Sequence, residues 1–143
     1  MRILIGKFLL LMLAVLTVGV RAGSAQITTQ MDFKMAQSFV VGNTTLPAGS
    51  YVIKPVQGTD QSVIEIASMT GKPAVMVEVE LVTPDAAQTG GQLVFNKYKN
   101  VLALSQIVPG GGNQAYKLTA GHPEKLAAKT EKPTKQTVAA AAK

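Results

Sequence analysis

The feature that most constrains this chain is a two-residue hydrophobic period that recurs along its middle. Met31, Phe33, Met35, Phe39 and Val41 fall on one parity, with Asp32, Lys34 and Ser38 on the other. Val75, Val77, Val79 and Leu81 repeat the pattern, with Met76, Glu78 and Glu80 between them. A helix would scatter these side chains around its circumference, whereas a strand collects them on one face. The alternation therefore predicts strands whose apolar face is buried and whose carboxylate face meets solvent. Further β-rich runs occupy 51–56, 62–67, 91–98, 101–108 and 115–118, which makes about seven strands. No segment between 26 and 118 carries a helical period, and no internal repeat is present.

Turn residues fall between these runs. Gly42-Asn43, Pro47-Ala48-Gly49, Gly58, Gly71 and Gly90-Gly91 separate consecutive strands, and Lys99-Asn100 fits a two-residue hairpin loop. Short strands at this spacing predict an all-β, antiparallel sandwich or small barrel over 26–118. Those 93 residues suffice for one modest core.

The chain ends flank this domain with different chemistry. Arg2 and Lys7 precede an apolar run at 8–20, and small residues follow it. A positive start, an apolar stretch and small residues form a secretory signal, read here as 1–25. Gly23 and Ala25 suit the peptidase for a cut between Ala25 and Gln26. The 13-residue run is short against the roughly 20 residues of a span, so no permanent membrane span is expected after cleavage. Export to the periplasm or extracellular space is the expectation. The chain has no cysteine, hence no disulfide framework and no thiolate metal site.

Removing the signal leaves eleven lysines, no arginine and eight carboxylates, a net charge of +3. Residues 26–118 balance at zero, and 119–143 carry the whole +3. A neutral, arginine-free exported domain is a poor nucleic-acid reader, because phosphates and base edges are met mainly by Arg and Lys. After Gly121-His122-Pro123 the composition is Lys, Thr and Ala with little to bury, so 119–143 is expected to be a disordered basic tail. Lys125, Lys129, Lys132 and Lys135 recur every three or four residues and are the candidate contacts to an anionic surface.

Phe39-Val40-Val41-Gly42-Asn43, Leu46-Pro47-Ala48-Gly49-Ser50-Tyr51, Gln92-Leu93-Val94-Phe95-Asn96-Lys97-Tyr98 and Leu104-Ser105-Gln106-Ile107 together resemble a family of small exported all-β proteins common in acidobacteria. The resemblance covers about residues 30–118 and implies an exported β domain. It implies no activity, so it assigns no functional residue.

Sites for chemistry are few. Glu78 and Glu80 are the best carboxylate pair, and the alternation places them on the solvent side. His122 is the single histidine and has no second nitrogen ligand. No serine sits in Gly-x-Ser-x-Gly, and Gly110-Gly111-Gly112 lacks the Lys and helix of a phosphate loop. No cofactor is expected, and with no acid–base, nucleophile or metal set in view an enzyme is only the second alternative, behind the two non-catalytic readings below. The phenylalanines read as core, and Tyr51 as a residue that packs and hydrogen-bonds beside Pro47 and Gly49. Tyr98 and Tyr116 keep open a ring platform for sugars, so a carbohydrate- or ligand-binding module is the alternative to a non-catalytic envelope protein. The partners expected are anionic envelope polymers or an envelope protein.

Overall fold

The structure, a computed structural model, describes residues 30–142 except 57, 59–61, 71–74, 85–89 and 111–112. The expected signal segment, with its expected cleavage residues Ala25 and Gln26, lies outside the described residues.

The alternating runs form strands packed as an all-β sandwich: β1 Met31–Met35, β2 Phe39–Val41, β3 Thr44–Leu46, β4 Gly49–Pro55, β5 Val63–Ser68, β6 Val75–Val82, β7 Gln92–Lys97, β8 Leu102–Val108 and β9 Ala115–Leu118. A short helix, α1 His122–Ala128, precedes β10 Thr134–Ala139 and β11 Ala141–Ala142. The first predicted strand is broken at residues 36–38 into β1 and β2, and Gly42-Asn43 turns β2 back into β3. Gly42 sits at φ 58°, the left-handed region that glycine enters without steric cost.

One sheet runs β11-β1-β4-β5 and ends on the first half of β6; the other starts on the second half of β6 and runs β9-β8-β7-β10. β6 hands the fold from one sheet to the other: residues 75–78 pair with β5, and residues 79–82 pair with β9. Among the described residues every strand pairing is antiparallel except the β2–β8 bridge at Val40 and Ala103, so the sheet is mixed. Hydrogen bonding does not close it into a barrel.

The core lies between the two sheets. Phe33, Tyr51, Ile53, Ile64 and Ile66 meet Leu93, Phe95, Leu104, Ile107 and Tyr116. Phe39 stands edge-on to Phe33, Tyr51 and Phe95, and joins the two sides through one aromatic cluster. The Tyr51 hydroxyl donates to the Pro47 carbonyl, the local bond expected of it. In β8 the core step lengthens from Leu104 to Ile107 because Ser105 is an extra residue: Val94 pairs with Gln106, and Phe95 with Leu104.

Two expectations are corrected here. Val75, Val77 and Val79 are half-buried against the core, but Leu81 is 54% exposed, since β6 has by then left the first sheet. The larger correction concerns 119–143. Instead of a disordered tail, the segment forms α1 and then pairs at both open sheet edges, β10 with β7 over six residues and β11 with β1. Its composition offers little apolar surface, yet a sheet edge supplies what composition omits: a row of backbone groups waiting for partners. Only Ala140 lies between the two strands. It is buried, and its N–H donates to the Gly91 carbonyl at 3.0 Å. Gly91 needs to be glycine, because a Cβ there would stand 2.7 Å from the Ala140 carbonyl oxygen.

Candidate functional site

α1 is held by polar bonds rather than by an apolar face. Its largest apolar residue, Leu126, is 49% exposed. Pro123 sits in the first turn of the helix, where its missing N–H is not needed, and Gly121 supplies the carbonyl that accepts from Lys125 N–H at 3.0 Å. Glu124 points inward and is only 6% exposed. Its Oε1 accepts from Asn96 Nδ2 at 2.7 Å and from the Tyr98 hydroxyl at 3.3 Å. Asn96 stands on β7, and Tyr98 opens the β7–β8 turn, where its N–H donates to the Val101 carbonyl. A buried carboxylate without such donors would be costly, so this trio makes the helix position specific. Burial raises the Tyr98 pKa above its ordinary 10.0, and the neighbouring charge and hydrogen bond of Glu124, with Glu131 beyond, push the same way.

Two more polar contacts fix the segment. The His122 N–H donates to Asn43 Oδ1 at 2.8 Å, which ties α1 to the β2–β3 turn. The Lys99 N–H donates to Glu131 Oε1 at 2.5 Å, which ties the stretch after α1 to the β7–β8 turn. Both acids of the segment thus face the domain. Its lysines face out: Lys125, Lys129, Lys132 and Lys135 are all exposed, and Lys135 Nζ also donates to Asn96 Oδ1 at 2.5 Å. Lys97 and Lys99 are exposed at the neighbouring turn, and Lys97 pairs with Thr134.

The segment borders two concavities. One of about 600 Å³ lies between the β2–β3 turn, the first half of β6 and the start of α1. The other, of about 320 Å³, is lined by Glu80, Asn96, Ser105, Lys117 and Glu124 among others. Glu78 and Glu80 are exposed on β6, as the alternation requires, and each lines one concavity. His122 is exposed, and among the described residues no three His, Cys, Asp or Glu side chains gather in a metal-holding group. Tyr98 and Tyr116 provide no exposed ring platform: they are 6% and 2% exposed, Tyr116 within the core and Tyr98 against Glu124. Among the described residues no helix is long and apolar enough to cross a membrane.

Sequence reasoning singled out the four lysines and missed Glu124, Asn96 and Tyr98. A lone Glu after Pro123 in a Lys/Ala-rich stretch reads as solvated, and the partners that bury it lie 26 and 28 residues earlier. Comparisons of the chain with protein-family models, curated proteins and solved structures found no match.

Proposed function

We propose that this protein is a non-catalytic, exported interaction protein of the bacterial cell envelope, whose C-terminal segment meets anionic envelope polymers. The observation that carries the reading is the sorting of charge on that segment. Glu124 and Glu131 are spent on hydrogen bonds to the domain, while Lys125, Lys129, Lys132 and Lys135 stand exposed. A segment with a net charge of +3 therefore turns its positive charge outward and its two carboxylates inward. Because the backbone of the segment is docked, binding costs less chain entropy than it would for a free tail. The secretory pattern of 1–25 and the resemblance to exported β proteins support the compartment. Phosphates and carboxylates of envelope polymers are the matching chemistry, and each lysine near such a surface contributes up to about 1 kcal/mol, less as salt rises.

Truncation at Leu118 would remove two edge strands along with the charge, so charge-neutral substitution is the cleaner test. The full mature chain is compared with a variant carrying Lys→Gln at 125, 129, 132 and 135, by co-sedimentation with isolated cell-wall material. The expected result is salt-sensitive binding by the parent and its loss in the variant. Equal binding by both, or binding indifferent to salt, overturns the reading.

A further inference from the structure

The strand edge beside the larger concavity is left over from the contacts described so far. The Val79 N–H donates to the Ser62 carbonyl at 2.8 Å, on the β5 side. Successive residues of an antiparallel strand direct their backbone groups to opposite edges. Val75 and Val77 therefore also face β5, and Met76 and Glu78 turn their N–H and C=O the other way. Further along β6 that other edge is taken by β9, beginning where Val79 meets Leu118. β9 stops there because the chain departs toward the β2–β3 turn. Gly121 passes so close to it that a Cβ would lie 1.9 Å from the Gly42 carbonyl oxygen. Opposite 75–78, no strand pairs among the described residues. The space left is the concavity of about 600 Å³, walled by Val41 and Asn43 on one side and by Ala120, His122 and Lys125 on the other.

We propose that this groove binds an extended peptide as an added strand beside β6, with a peptide carboxylate side chain recognised by Lys125. The first argument is the spacing of the unpaired groups. The N–H and C=O groups of Met76 and Glu78 lie two residues apart, about 7 Å along the strand, and that interval is matched by another extended backbone. The second is the apolar lining: Met76 is 64% exposed at the groove, and Val77 lies half-buried in its floor. The third is charge. Lys125 is exposed on the α1 wall beside His122 and Glu78 on the β6 side of the same groove, while the acid next to Lys125 in sequence, Glu124, is turned into the other concavity and bonded to Asn96 and Tyr98, so the α1 wall offers a cation to an incoming carboxylate placed away from Glu78.

The probe is an acetylated, amidated hexapeptide, Thr-Val-Glu-Val-Thr-Val, titrated into the full ¹⁵N-labelled mature chain. The amide signals of Met76 and Glu78 should shift and exchange more slowly with solvent. The same peptide N-methylated at alternate residues should fail to produce either change. Lys125→Glu should weaken the peptide by about threefold and favour a Glu→Lys version of it, with an unchanged circular dichroism spectrum. Met76→Pro, which removes one edge donor, should abolish the amide changes. If that variant does not fold, the N-methylated peptide and Lys125→Glu carry the test. Equal binding of the N-methylated peptide, or shifts confined to residues outside 75–78, overturns strand addition. So does the absence of any shift at millimolar peptide. A Lys-containing peptide that binds the parent more tightly overturns the assigned charge recognition.

Discussion

At the scale of single residues, two positions decide whether the C-terminal segment docks. Gly121 has no room for a side chain against the Gly42 backbone, and backbone atoms cannot rotate aside as a side chain would. Gly121→Ala should cost roughly 1–3 kcal/mol in urea unfolding, as overpacking does elsewhere. Glu124→Ala leaves the Tyr98 hydroxyl and the Asn96 amide without their shared acceptor, and should cost about 1–3 kcal/mol in the same assay. Tyr98 also links stability to pH. Its pKa is raised in the folded state, chiefly by burial. Below 10.0 the folded and unfolded forms are both protonated, and the full contribution is present. Above it the unfolded chain releases the proton first, so stability falls as pH rises through the folded value. Urea midpoints measured from about pH 8 to 11 should decline more steeply for the parent than for Tyr98→Phe.

Among the elements, β6 bears the most constraint, because it belongs to both sheets. Val77 packs against the core while Glu78 beside it is exposed. Val77→Asp should lower stability by about 2 kcal/mol, through an unpaired charge set against the core, whereas Glu78→Lys should stay within about half a kcal/mol of the parent. Chemical denaturation of the two variants side by side checks the pair. Loss from Glu78→Lys as large as from Val77→Asp would contradict the assignment of faces.

Over the whole molecule, the C-terminal segment joins the two ends of the hydrogen-bonded path, since β10 and β11 cap its opposite edges with Ala140 between them. A chain ending at Pro133 loses both caps. It should retain a β spectrum, melt at lower temperature and self-associate as concentration rises in light scattering, because the β7 edge is then an open template. A monomer with unchanged melting temperature would show that the caps contribute little.

The all-β class could be read from the residues, because the two-residue period at 31–41 and 75–81 is a local property that any strand geometry must respect. The core status of Phe33, Phe39 and Phe95, the Tyr51 bond to Pro47, the turn at Gly42-Asn43 and the outward face of Glu78 followed from the same local rules. The tertiary structure alone decided what sequence neighbours cannot express. Leu81 has the parity of a core residue and is exposed, because β6 changes sheets beneath it. Thr134–Ala139 has the composition of a free tail and forms a strand, because β7 offers it an unpaired edge. Glu124 looks solvated and is buried, because Asn96 and Tyr98 reach it from another part of the chain. In each case the deciding partner is distant in sequence, and its backbone or side-chain groups become available only once the sheets have formed.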